Sequence, residues 1–270
     1  MSAIEILRPP AGRRLRAAVF DFDGTLSLIR TGWQDVMIPM MVEQLAGLRT
    51  GFAPERLRAL VTEDVAQSTG KQTIYQMIRL AERVAEFGGT PLDPKAYKAE
   101  YKRRLLVHIA ARRTALVERS ATADSLLVAG SRAMLEGLAA RGLTLCLVSG
   151  TDEPEVREEA GLLDIARYFG ADIYGAHDDY EASSKKHVLA RLMARVGAPG
   201  AELAVFGDGF VEIENAKEAG GYAIGVASDE TARTGRVDAW KRERLLRAGA
   251  DMIIPDFACH KELAALLLGM

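Results

Sequence analysis

AAVFDFDGTL, residues 17–26, is the stretch from which the rest of the chain can be read. Four apolar residues lead straight into two aspartates one residue apart, Asp21 and Asp23, and the run closes on Gly24 and Thr25. An unbroken apolar run bounded in this way is the pattern of a strand buried on both faces of a parallel sheet. Carboxylates at its end are costly to bury unless they are paired, hydrogen-bonded or bound to a metal. The sequence therefore has to supply something that compensates them.

From about Leu143 onward the same strand character recurs. LTLCLVSG, ADIYGA, LAVFGDG, YAIGVAS and DMIIPDF are short apolar segments ending in Gly, Asp, Ser or Pro. Between them lie EPEVREEAG, SKKHVLARLMARVG, VEIENAKEAGG and AWKRERLLRAGA, with apolar residues at three-to-four spacing. This βαβ alternation predicts an α/β fold, a doubly wound parallel sheet covered by helices. About 100 residues separate Leu28 from the next such unit, and they carry helical rather than strand signal: WQDVMIPMMVEQLAGL, PERLRALVTEDVAQS, KQTIYQMIRLAERVAEFGG and PKAYKAEYKRRLLVHIAARRTALVE. The expected organisation is a core of residues 1–28 and 128–270 with a helical insertion at 29–127.

Composition bounds the partners. The chain has 270 residues, 35 Lys+Arg against 37 Asp+Glu and a net charge of −2, so it lacks the electrostatic footprint of a nucleic-acid or anionic-membrane binder. The basic run Lys95–Arg119 and the segment WKRERLLR read as solvated helix faces. Two cysteines, Cys146 and Cys259, make no disulfide framework, and the N-terminal MSAIEILRPPAGRRLR lacks the apolar core of a signal peptide. No stretch is long and apolar enough to span a membrane. A cytoplasmic location is expected, and oligomeric state is not written in the sequence.

In an open α/β sheet, ligands bind beyond the carboxyl ends of the strands. Asp21 and Asp23 follow the first strand, Ser149-Gly150-Thr151 the second, and Gly207-Asp208-Gly209 follows LAVF. Aspartates from two strand ends make a hard, all-oxygen donor set suited to Mg²⁺. In SSKKHVLARLM the apolar stripe is Val188, Leu189, Leu192 and Val196, and one turn back from it stands Lys185, aimed at the same edge. Lys186 falls on the neighbouring face and remains the alternative.

The ordered set DFDGT, VSG, SK and GDGFVE resembles the four motifs of the haloacid dehalogenase superfamily, in its phosphatase branch with a helical cap inserted after the first motif. The resemblance covers essentially the whole chain. It implies that Asp21 is the nucleophile, that Asp23 is the general acid and base, and that Lys185 steadies Asp21 and the transferring phosphoryl group. It further implies that Ser149 and Gly150 bind phosphoryl oxygens. Mg²⁺ would be held by Asp21, the Asp23 carbonyl and Asp208, with Glu212 on its outer shell. Dehalogenase members lack the second aspartate of the first motif, so Asp23 points to phosphoryl chemistry.

The implied activity is Mg²⁺-dependent hydrolysis of a small phosphorylated metabolite, a sugar phosphate or a phosphoglycolate-like ester. The alternatives are a phosphomutase, or a binding module of the same fold. Within the insertion, STGKQTIYQ offers Gly70 for a turn and Lys71, Gln72 and Thr73 as polar groups for substrate selection. Arg30 and Trp33, just past the first strand, stand where the chain passes into the insertion, and Arg30 is a candidate clamp for a second anionic group.

Overall fold

A computed structural model describes the chain except for residues 1–3, 11, 13, 49, 50, 178, 180–183 and 270. In chain order the elements are β1 (Glu5–Ile6), β2 (Ala17–Phe20), α1 (Gln34–Ala46), α2 (Pro54–Ser68), α3 (Thr73–Glu86), α4 (Pro94–Val117), α5 (Ser131–Ala139), β3 (Thr144–Asp152), α6 (Glu153–Leu162), α7 (Ala166–Phe169), β4 (Ile173–Ala176), α8 (Lys185–Val196), β5 (Leu203–Gly207), α9 (Phe210–Glu218), β6 (Tyr222–Val226), α10 (Ala239–Arg247), β7 (Met252–Ile254) and α11 (His260–Leu268). Every strand and helix expected from the apolar patterns has its counterpart here.

The sheet has the order β1-β7-β6-β5-β2-β3-β4, and all its pairs are parallel except β1 with β7. The antiparallel edge strand Glu5–Ile6 has no signal in the sequence pattern, since two residues are too few to show a period. The first parallel strand, β2, is central, flanked by β3 on one side and β5 on the other. Phe20 is in register with Leu147 and with Phe206, so the residues that follow on all three strands emerge at one level. This is the topological switch point of a doubly wound sheet, where strand ends diverge and leave a crevice.

Alternation along β2 divides its side chains between two layers. Ala17 and Val19 join Cys146, Val148, Val205 and residues of α8 to α10 in one core layer. Phe20 turns the other way and stacks on Phe206 with ring centroids 4.5 Å apart, closed by Phe257 and Phe169.

Two compact units result: Met1–Thr31 together with Arg112–Met270, and the helical Gly32–Ala111. The helical unit is narrower than the expected 29–127. Residues 29–31 and 112–127 cluster with the sheet because the outgoing and returning strands of chain are tied together there. Leu28 N donates to Leu126 O, Val128 N donates to Leu26 O, and Ser27 bridges Leu127. Arg112 Nη1 donates to the carbonyls of Ile29 and Thr31 at 2.8 and 2.7 Å.

The helical unit has a core of its own. On α3, Ile74, Met77, Leu80 and Val84 form a buried stripe at helical spacing, matched by Leu57, Val61 and Val65 of α2. Its buried carboxylate, Asp64, accepts from Arg79 at 3.2 Å and from both nitrogens of the Arg83 fork at 2.7 and 2.9 Å.

Candidate active site

Because side chains alternate along β2, Asp21 leaves the strand on the face of Val19, the face covered by α8 and α9. Lys185 opens α8 one turn before the buried Val188 and Leu189, so the burial of that stripe carries the lysine stem down to the strand end. Its Nζ donates to Asp21 Oδ1 at 2.6 Å and also to Glu212 Oε1. Glu212 lies in the first turn of α9, and that turn packs on Gly207, where a Cβ would fall 2.4 Å from the Glu212 Cβ. Lys186 instead pairs with the exposed Glu218, so of the two candidate lysines Lys185 is the one at the strand ends.

One ammonium thus serves two buried carboxylates. Burial pushes the Asp21 pKa well above the usual carboxylate range; Lys185 opposes the rise, while the charges of Glu212 and Asp208 add to it. For Lys185, burial acts to strip the proton, but Asp21 and Glu212 outweigh it and hold the pKa above its ordinary value. Val19, Val148, Val205 and Leu189 wall the group in apolar surface, which strengthens each of these interactions.

Asp23 faces a different set of partners. Its Oδ2 accepts from Thr151 Oγ1 at 3.0 Å and from Ser149 Oγ at 3.4 Å. Its buried Oδ1 accepts no hydrogen bond from the described residues, and Arg30 Nε stands 3.9 Å from it. Burial raises the Asp23 pKa to about 6, with Arg30 and the Thr151 hydrogen bond holding it down. Ser149 Oγ also accepts from the Thr151 amide at 3.1 Å, which closes the β3 end around Gly150.

Arg30 is not a free anion clamp. Its guanidinium forks onto Glu159 with contacts of 3.0 and 2.7 Å and donates to Glu155 at 2.8 Å, and Arg30 is buried. The two glutamates come from α6, directly after β3, in a stretch whose charge pattern reads as solvent-facing. Glu159 is therefore a residue of this site that sequence reasoning missed, and Thr151, placed at the strand end by its sequence position, has a partner there, Asp23, that the sequence did not indicate.

Asp208, after β5, pairs through Oδ2 with Lys241 Nζ at 2.8 Å. Among the described residues no three His, Cys, Asp or Glu side chains converge as a ready-made metal cluster. The donors for a cation at the strand ends are the carboxylates of Asp21 and Asp208 with the backbone oxygens beside them. This set fits a hard divalent cation: it is all oxygen, and with Glu212 and Glu230 beside it four carboxylates face the two ammonium groups of Lys185 and Lys241. Among the described residues the buried Glu212 Oε2 has no hydrogen-bond partner.

The remaining sequence candidates belong to the helical unit. Lys71 is exposed, Thr73 opens α3 half-buried, and between them Gln72 is buried. Trp33 stands at the N-terminus of α1.

A family model for haloacid dehalogenase-like hydrolases matches residues 15–220. The chain belongs to that family. Solved structures share its fold at low identity. A predicted phosphoglycolate phosphatase from Haemophilus somnus 129pt has a TM-score of 0.58 at 17% identity, covering 94% of this chain and 100% of that one. A β-phosphoglucomutase from Clostridium difficile has a TM-score of 0.62 at 11% identity, covering 94% and 97%. A family hydrolase from Deinococcus radiodurans R1, solved with bound phosphate and sodium, has a TM-score of 0.55 at 16% identity, covering 95% and 96%. No curated protein matches the chain. No helix among the described residues is long and apolar enough to cross a membrane.

Proposed function

We propose that this hydrolase cleaves a small phosphate monoester, a sugar phosphate or a phosphoglycolate-like compound, through an aspartyl-phosphate on Asp21. The observation that carries the reading is the Lys185 ammonium seated on Asp21 at the end of β2, two residues before a second carboxylate with a different environment. Two nearby carboxylates whose surroundings set them apart are the mark of divided labour in catalysis.

In this reading an Asp21 oxygen attacks phosphorus and the ester oxygen leaves, taking a proton from Asp23. Asp23, with a pKa raised to about 6, is a stronger proton acceptor than an ordinary aspartate once it has given that proton up, and it then removes one from the water that cleaves the acyl-phosphate. Thr151 and Ser149 hold Asp23 through Oδ2. The Ser149 hydroxyl and the Gly150 amide bind phosphoryl oxygens, and Lys185 offsets the charge spread over them. Mg²⁺, held by Asp21, the Asp23 carbonyl and Asp208, would supply charge neutralisation that lets an anionic nucleophile approach an anionic ester. Glu212, as a direct partner of Lys185, fixes the ammonium between the two carboxylates.

The helical unit is assigned the part of a cap that excludes water, with Lys71 and Thr73 as its candidate specificity residues. The fold shared with a phosphoglucomutase supports one second reading, in which the phosphoryl group returns to another hydroxyl of the substrate. The deciding experiment is inorganic phosphate release from a panel of phosphorylated metabolites, with Mg²⁺ and again with EDTA. Metal-dependent release concentrated on one or two compounds is expected. An isomeric product with little free phosphate would mean a mutase, and no turnover of any compound would sink the catalytic reading.

A further inference from the structure

Lys241 lies in WKRERLLR, the most polar helical stretch of the sheet-bearing unit, yet it is only 9% exposed. Its ammonium has three partners within the fold: Asp208 Oδ2 at 2.8 Å, Glu230 Oε1 at 2.7 Å and Ser228 Oγ at 3.1 Å. Those partners are themselves fixed. Ser228 Oγ donates to the Gly24 carbonyl at 2.6 Å, and Glu230 Oε2 accepts from Thr31 Oγ1 at 3.2 Å. Gly24, at φ +74°, leaves the space this requires, since a Cβ there would fall 2.3 Å from Asp208 Oδ2 and 2.9 Å from Glu230 Oε1.

The DFDG glycine, the half-buried Asp208 carboxylate and a buried lysine more than 200 residues downstream of that glycine thus form one mutually satisfied assembly. Asp208 has no other ion pair or hydrogen bond from its side chain among the described residues. The consequence is electrostatic. Any divalent cation taken up through Asp208 has to bind beside a fixed positive charge, and Glu230 masks part of that charge.

Resting on the reading that Asp208 helps to hold Mg²⁺, we propose that Lys241 is an internal counter-cation of the site: it keeps Asp208 paired in the metal-free protein and lowers the affinity for the divalent cation, with Glu230 setting how far. Lys241 is a positioning residue, acting through Asp208. A residue that merely braced the fold would weaken metal-free and metal-bound protein alike. A counter-cation makes two substitutions act in opposite directions.

The test is calorimetric titration of the full chain with Mg²⁺ and with Mn²⁺, together with the rise in Tm that each ion produces. Lys241→Met is expected to bind both ions on the order of tenfold more tightly than wild type and to gain more in Tm from them. Glu230→Gln, which leaves the lysine charge unmasked, is expected to bind them more weakly by a similar factor, and Lys241→Arg to stay near wild type. Should Lys241→Met fail to fold without metal, the Glu230→Gln and Lys241→Arg titrations still decide. Wild-type protein that binds neither ion overturns the metal reading itself. Wild-type binding with Lys241→Met unchanged or weaker, or with Glu230→Gln unchanged or tighter, overturns the role of Lys241 alone.

Discussion

In the helical unit the buried carboxylate of Asp64 meets two guanidinium groups, Arg79 and Arg83, whereas at the end of β2 the buried Asp21 shares a single ammonium with Glu212. In the first region cations outnumber the buried anion, and both Asp64 oxygens carry hydrogen bonds. In the second, anions outnumber the cation and, among the described residues, one Glu212 oxygen has no hydrogen-bond partner. A buried charge that is over-satisfied holds a fold together; one left short of partners is poised for something that arrives later.

Substitutions turn this contrast into measurements. The largest expected effect is on Asp21→Asn, which should lower phosphate release by about 10⁴-fold or more. Because Lys185 keeps Glu212, the Tm of that variant should not fall, and a melt beside the kinetic assay checks both halves. Lys185→Met should lower kcat by about 10²–10³-fold, as expected when one preorganised cation is lost from a transition state.

Asp64→Asn should behave in the opposite sense. It is expected to lose about 2 kcal/mol of stability by denaturant titration, because a buried charge-assisted pair is broken, with kcat per folded molecule unchanged. If instead it kept its stability and lost activity, the division drawn between the two regions would collapse.

Asp23 offers a finer probe. In the mechanism we propose, Asp23 gives its proton to the leaving oxygen and must be protonated, so kcat/KM should fall as pH rises through about 6. Arg30 holds that pKa down, so Arg30→Gln should move the falling limb to higher pH by about one unit or more. The smallest effect belongs to Lys186→Met, whose pair with Glu218 is exposed on both sides: stability within about 0.5 kcal/mol of wild type and unchanged turnover.

The parallel strands and most helices are legible because burial on both faces leaves unbroken apolar runs and burial on one face leaves a helical stripe. The same count of one turn back from Val188 and Leu189 that picks out Lys185 would have picked out Lys241, which stands four residues before the buried Leu245. Five charged residues in WKRERLLR hide that stripe, which is only two residues wide. The partners of Arg30 are hidden for a related reason. Its partner Glu159 is fully buried in a helix rich in acids, and no one-dimensional pattern distinguishes a glutamate that meets an arginine 129 residues away from one that meets water. Thr151 stands at the strand end in the sequence, but its hydrogen bond to Asp23 spans 128 residues and leaves no local pattern.

The tie between Ser27 and Leu127 makes the helical segment a closed excursion from the sheet-bearing unit. With the chain leaving and returning side by side, and Arg112 Nη1 bonding the Ile29 and Thr31 carbonyls at the seam, whatever is spliced between Thr31 and Arg112 meets the same two anchor points. Closing a longer or shorter excursion there changes the loop entropy only slowly with length. The seam is a socket: a segment plugged into it is held at both ends by the sheet-bearing unit itself, so replacing it by a short linker is expected to leave the sheet folded.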